Sequence, residues 1–108
     1  MANAYKILGQ AVPATSSDVI TVGSGKSVVV STLVVANTTS NAATCRIHAR
    51  IAGASVATSN ALAYDIILLG NTTQTFTLGI TLAATDVLTV VSGTSGALTV
   101  TAFGSEIS

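Results

Sequence analysis

Alternation of apolar and polar residues, with a period of two, runs through most of this chain. In Thr44 to Ile51, Cys45, Ile47, Ala49 and Ile51 point one way, and Thr44, Arg46, His48 and Arg50 the other. In Thr75 to Leu82, Phe76, Leu78, Ile80 and Leu82 share a face opposite Thr75, Thr77, Gly79 and Thr81. Such alternation marks strands with one face on a core and one toward solvent. Turn signals recur at short intervals: Pro13, Gly23-Ser24-Gly25, Asn37 to Asn41, Gly53, Gly70-Asn71, Ala84 to Asp86, and Gly93 to Gly96. No stretch between them holds a helical period. The spacing predicts strands near 4–10, 18–22, 27–36, 43–52, 62–69, 73–82, 86–92 and 96–103. The expected fold is all-β: a single-domain antiparallel β-sandwich over 1–108, jelly-roll or Greek-key, of about eight strands. The segment Gly53 to Ala63 reads as a loop or a small extra edge strand.

Two runs are apolar on both sides. In the first, Val28, Val30, Val34 and Ala36 line one side, and Val29, Leu33 and Val35 the other. In the second, Ile66 and Leu68 oppose Ile67 and Leu69. A two-layer sandwich covers one side of a strand. The surplus side, Val29, Leu33 and Val35 with Ile67 and Leu69, is therefore a candidate partner interface; a central strand with tolerated surface aliphatics is the plainer account.

Charge sharpens this expectation. Among 108 residues only Lys6, Lys26, Arg46, Arg50, Asp18, Asp65, Asp86 and Glu106 are formally charged, 7 % of the chain, and the net charge is zero. Soluble domains spend about a quarter of their residues this way. A surface so poor in charge is weakly protected against association, so the chain reads as part of an assembly. No apolar run approaches the roughly 20 residues of a membrane helix. Met1 to Lys6 does not read as a secretory signal. No basic excess points to nucleic acid.

Arg46, His48 and Arg50 form a basic stripe on one strand face. It is either a docking stripe for carboxylates of a partner subunit, or an ordinary strand face paired internally, for example with Asp65.

Candidate chemistry is thin. Gly23-Ser24-Gly25-Lys26-Ser27 resembles the end of a phosphate loop, but Ile20 stands where its first glycine belongs and a valine run follows. It reads as a glycine hairpin turn with Lys26 solvated. His48 is the single histidine, and no nucleophile elbow accompanies it. Asp18 and Asp86 read as turn residues. Cys45 is alone and reads as a small buried hydrophobe. Asn37-Thr38-Thr39 and Asn71-Thr72-Thr73 match the glycosylation sequon. Neither a cofactor, a metal site nor an enzymatic activity is expected.

Four stretches carry a resemblance: Tyr5-Lys6-Ile7-Leu8-Gly9-Gln10, Ser27 through Asn37, Leu78 through Val87, and Ala102-Phe103-Gly104-Ser105-Glu106-Ile107. Together they resemble small structural virion proteins of tailed bacteriophages. The resemblance implies a β-rich, non-enzymatic particle component present in many copies, and it carries no binding residues. The leading expectation is a capsid decoration or cement protein on the head exterior. It would be a homo-oligomer, a trimer at local threefold positions, bridging copies of the major capsid protein. A tail, neck or fibre-base component is the alternative, and a carbohydrate-binding or adhesin module the second alternative.

Overall fold

The computed structural model describes residues 3–108 and bears out the all-β sandwich. Its strands are β1 (Asn3–Ala11), β2 (Ser16–Thr21), β3 (Ser27–Asn37), β4 (Ala43–Arg50), β5 (Ala61–Leu68), β6 (Thr73–Phe76), β7 (Ile80–Leu82), β8 (Val87–Ser92) and β9 (Leu98–Ile107). One sheet runs β1-β9-β3-β6, with β7 also on β3; the other runs β2-β8-β4-β5. Every ladder is antiparallel. Strands pair from the outside inward: β1 with β9, β2 with β8, β3 with β6 and β7, β4 with β5. The chain is thus one long hairpin rolled so that successive pairs fall in opposite sheets, which is the jelly-roll arrangement.

There are nine strands because the expected strand 73–82 divides. Thr77–Gly79 leaves the sheet, with Gly79 at φ 65°, and Leu78 turns outward instead of joining Phe76, Ile80 and Leu82 in the core. Ile51 likewise departs from the face of Cys45 and Ile47, because β4 ends at Arg50 and a 3-10 turn, Ile51–Gly53, begins. The uncertain segment is that turn plus a second, Thr58–Asn60, leading into β5. The Gly23–Lys26 turn closes with Lys26 N–H on the Gly23 carbonyl, but it carries the chain between sheets and forms no hairpin.

The core is aliphatic: Val28, Val30, Leu33 and Val35 of β3 face Ile47, Leu88 and Val90 across the layers, beside Leu98 and Val100 of β9. Here the two-sided reading of β3 needs correction. Between Val30 and Thr32 the register against β9 slips by one residue at Ser31. Val28 and Val30 therefore share the core with Leu33 and Val35, while Val29, Thr32, Val34 and Ala36 face outward. A one-residue insertion reverses every later side chain. Gly104 makes room for it, since a Cβ there would run into the Val29 carbonyl oxygen. Ser31 Oγ donates to the Phe103 carbonyl at 3.1 Å.

Loop ends close with buried polar bonds. Asn37 Nδ2 donates to the carbonyls of Asn41 and Leu68, and its Oδ1 accepts from the Thr39 backbone N–H and hydroxyl. With its amide buried and satisfied, the sequon at Asn37 is a structural turn and no sugar acceptor.

The rephasing separates neighbours sharply. Leu33→Ala should cost about 2–5 kcal/mol, the range of a buried truncation, whereas Val34→Ser should cost under about 1 kcal/mol. Thermal and denaturant unfolding measure both; equal losses would mean that β3 is core on both sides.

Candidate functional site

The basic stripe does not offer free cations. Arg46 donates from Nε to Asp65 at 2.7 Å and from Nη2 at 3.2 Å, and its guanidinium lies 4.0 Å from the Tyr64 ring centroid. That bidentate bond holds the Asp65 carboxyl below the ordinary carboxylate range and raises Arg46. Arg50 bonds Asp18 and Thr89 through Nη1, the Ala54 carbonyl through Nε and the Gly53 carbonyl through Nη2. Both arginines of the stripe are thus paired internally, Arg46 with the Asp65 that the plainer account named. Asp18 lies within β2 as the ion-pair partner of Arg50, and is no turn residue.

The reading of His48 is corrected. Only 2 % exposed, it lies under the segment Ile51–Asn60. Its Nδ1 faces the Ala57 carbonyl at 3.1 Å and Asn60 Oδ1 at 2.7 Å. Asn60 is oriented by Nδ2 donating to the Ser55 carbonyl and Oδ1 accepting from Ala57 N–H. Both groups facing Nδ1 are acceptors, so the proton sits on Nδ1. Nε2 is buried and meets no polar partner.

Asp86 completes the clamp. Its carboxylate accepts from Ala52 N–H and Ala83 N–H, each at 2.9 Å, and these bonds lower its pKa. The turn reading of Asp86 holds for Ala83; its bond to Ala52 joins distant parts of the chain. Arg50, His48, Asn60 and Asp86 thus pin one loop onto the β2-β8-β4-β5 sheet. Asn60 and Thr89 escaped the sequence reading because nothing local distinguishes a lone Asn before a strand or a Thr within one.

The apolar candidates divide. Leu33 and Val35 are fully buried and cannot contact a partner, for the register reason given above. Val29 faces outward and is half-buried. Ile67 and Leu69 are exposed by 67 % and 65 %. Ile67 lies opposite Thr44 on the outer face, and Leu69 stands in the turn beyond β5.

A larger feature spans the other sheet. Its outer face is read directly from the register. One row is Ile7–Phe103–Thr32, the next Tyr5–Ser105–Val29–Thr81, and a third Gln10–Thr101–Val34–Thr75. No Asp, Glu, Lys, Arg or His occupies the outer face of this sheet. Lys6, Lys26 and Glu106 gather on the inner side at one end, with Lys6 Nζ 3.1 Å and Lys26 Nζ 3.6 Å from Glu106 Oε1. Lys26 is therefore paired, and Glu106 is lowered, chiefly by the Lys6 bond. All eight formal charges are spent on partners inside the domain, and one whole sheet face bears none.

Two depressions lie elsewhere. One, about 360 Å³, is lined by Ala49, Ile51, Ala54, Ser59, Asn60, Ala61 and Leu62. The other, about 320 Å³, holds the paired Arg46 and Asp65. Among the described residues no three of His, Cys, Asp and Glu come together in a metal-binding group. Cys45 is buried, and burial pushes its thiol up to about 11. No helix among the described residues is long and apolar enough to cross a membrane. No family model, curated protein or solved structure matches the chain.

The lowered carboxylates set a pH dependence. Asp65, Asp86 and Glu106 titrate lower when folded than when unfolded, where the value is about 4. Their contribution is complete above the unfolded value and is lost as pH falls through the folded ones. Denaturant midpoints should therefore drop on acidification below about pH 4.5. Asp86→Ala should lower neutral-pH stability by about 1–2 kcal/mol and flatten that drop; a variant with an unchanged acid profile would remove Asp86 from the account.

Proposed function

We propose that this protein is a non-enzymatic structural component of a phage-type particle, a decoration or cement module seated on the head exterior, where it bridges adjacent capsid subunits. One observation carries the reading: a full sheet face without an ion, in a domain where every charged side chain already meets an ion-pair or hydrogen-bond partner of its own. Four strands at about 4.8 Å and a ten-residue β9 give that face about 650 Å² in projection. A stable interface needs about 800 Å² per partner, so the face with its margins is of the right size. Its threonines supply hydroxyls that donate or accept, and Ile7, Val29, Val34 and Phe103 supply apolar area. A module that binds only assembled neighbours stabilises the assembly by mass action. Jelly rolls recur in capsid proteins and also in lectins, so the fold alone does not decide. The likeness of the sequence to phage virion proteins supplies the particle context.

The exposure of Tyr5 and Phe103 on this same face favours one second reading, sugar stacking. A glycan array with a hit abolished by Tyr5→Ala would support it over the particle assignment.

Val34→Glu with Phe103→Glu should leave the fold intact and lower occupancy on particles at least about tenfold, the effect of burying unpaired carboxylates at an interface. Electron microscopy of labelled particles reads both occupancy and place. Copies on the tail would move the module to the tail or neck, and unchanged occupancy would remove this face from assembly.

A further inference from the structure

We infer that β1 pairs edge to edge with β1 of a second copy, antiparallel and centred on Tyr5, joining two sheets into one. This inference stands independently of the particle assignment. The strand β1 is bonded to β9 on one side only. Its later half is occupied at the sandwich corner, where Gly9 lies so close to β2 that a Cβ would strike the Val19 carbonyl oxygen. Asn3 through Ile7 stand clear, exposed on both faces, Tyr5 by 84 %. Alternate residues of such an edge aim N–H and C=O groups away from the sheet.

The remaining edges are protected. The strands β6 and β7 have four and three residues. On β2, the register slips beside Asp18. On β5, the register against β4 slips twice, and Asp65 adopts φ 51°. Among the described residues only Asn3–Ile7 offers a regular five-residue edge, ahead of the slip at Leu8.

Charge selects the register. A two-fold axis perpendicular to the sheet places a residue opposite itself. Centring on Lys6 would oppose two ammonium groups directly. Centring on Tyr5 pairs Asn3 with Ile7, Ala4 with Lys6 and Tyr5 with Tyr5, and uses the whole exposed run. Within each chain Ala4 lies opposite Glu106. Lys6 of one copy therefore shares a row with Glu106 of the other, with only the Ala4 methyl between them. Two strand spacings, about 10 Å, are within the combined reach of these side chains. Such pairing forms about four to six backbone hydrogen bonds and places both uncharged faces on one continuous surface. An isologous contact of this kind builds a dimer, where the sequence led to the expectation of a trimer.

Sedimentation of the full chain should show a concentration-dependent dimer. Tyr5→Glu, which sets like charges face to face at an exposed position, should weaken it by about tenfold or more with the circular dichroism unchanged. Tyr5→Cys should cross-link on mild oxidation, because residues directly opposite lie within disulfide range, while Ala4→Cys and Lys6→Cys sit on diagonals of about 7–8 Å and should lag. The native Cys45 is buried and does not compete. A persistent monomer, a dimer indifferent to Tyr5→Glu, or equal cross-linking at all three positions overturns the proposal. Particle occupancy of the Val34→Glu, Phe103→Glu chain is read separately. A monomer that still decorates particles through that face sinks only the strand pairing, and a Tyr5-centred dimer absent from particles sinks only the particle reading.

Discussion

The register slip at Ser31, opposite Gly104, is the constraint on which the architecture turns. The central strand β3 is bordered by β9 on one side and β6 and β7 on the other. Its valines would otherwise alternate without interruption, and half would face water. One extra residue moves Leu33 and Val35 into the layer occupied by Val28 and Val30. The cost is a local break in the ladder, offset by the Ser31 hydroxyl on the Phe103 carbonyl and by a glycine where the two backbones close. The same slip decides the exterior. It leaves Val29, Thr32, Val34 and Ala36 on the outer face, a mixed surface of small apolar and hydroxyl side chains.

Charge economy follows a second logic. Exposed ion pairs contribute only about 0–1 kcal/mol each, so the pairing of seven of the eight ions does little for stability by itself. Position matters more. Arg50 and Asp86 hold backbone groups of the 51–60 loop, and Arg46 holds Asp65 at the irregular middle of β5. The ions thus close the outer side of the β2-β8-β4-β5 sheet. That sheet carries a clamped loop, while the opposite sheet carries nothing.

How far this was legible in the sequence depends on whether the signal was periodic or positional. Periodicity located the all-β sandwich and the strand centres, and β4 alternates as read as far as Ile47. It failed at Ser31, where one residue breaks phase and sends Leu33 and Val35 inward, and at Thr77–Gly79, where the chain leaves the sheet and Leu78 turns outward while Phe76, Ile80 and Leu82 keep their phase. Slips of this kind leave no compositional mark when both phases are apolar. The stripe Arg46, His48 and Arg50 lies on one strand side, as its spacing requires. Its role was hidden because the partners Asp18, Asn60 and the Gly53 and Ala54 carbonyls are brought by distant or irregular segments. The missing charge, by contrast, was visible at once, and its distribution over the two sheets became visible only with the register.

An uncharged face and an open edge are separate liabilities, and their coincidence on one sheet is informative. Sandwiches commonly protect an edge by an inward charge, a proline or a short strand. Here β2, β5, β6 and β7 each carry a slip, a charge or a truncation, and β1 alone presents five regular residues with Lys6 as its single ion. That lysine is already drawn to Glu106 along the inner side, away from the backbone edge it would otherwise guard. Protection is thus applied to every edge but one, and ions are placed on every side but one. Both exceptions belong to the sheet built on β9 and β3, so the surface best suited to contact is contiguous: the outer face of that sheet and the β1 border that extends it.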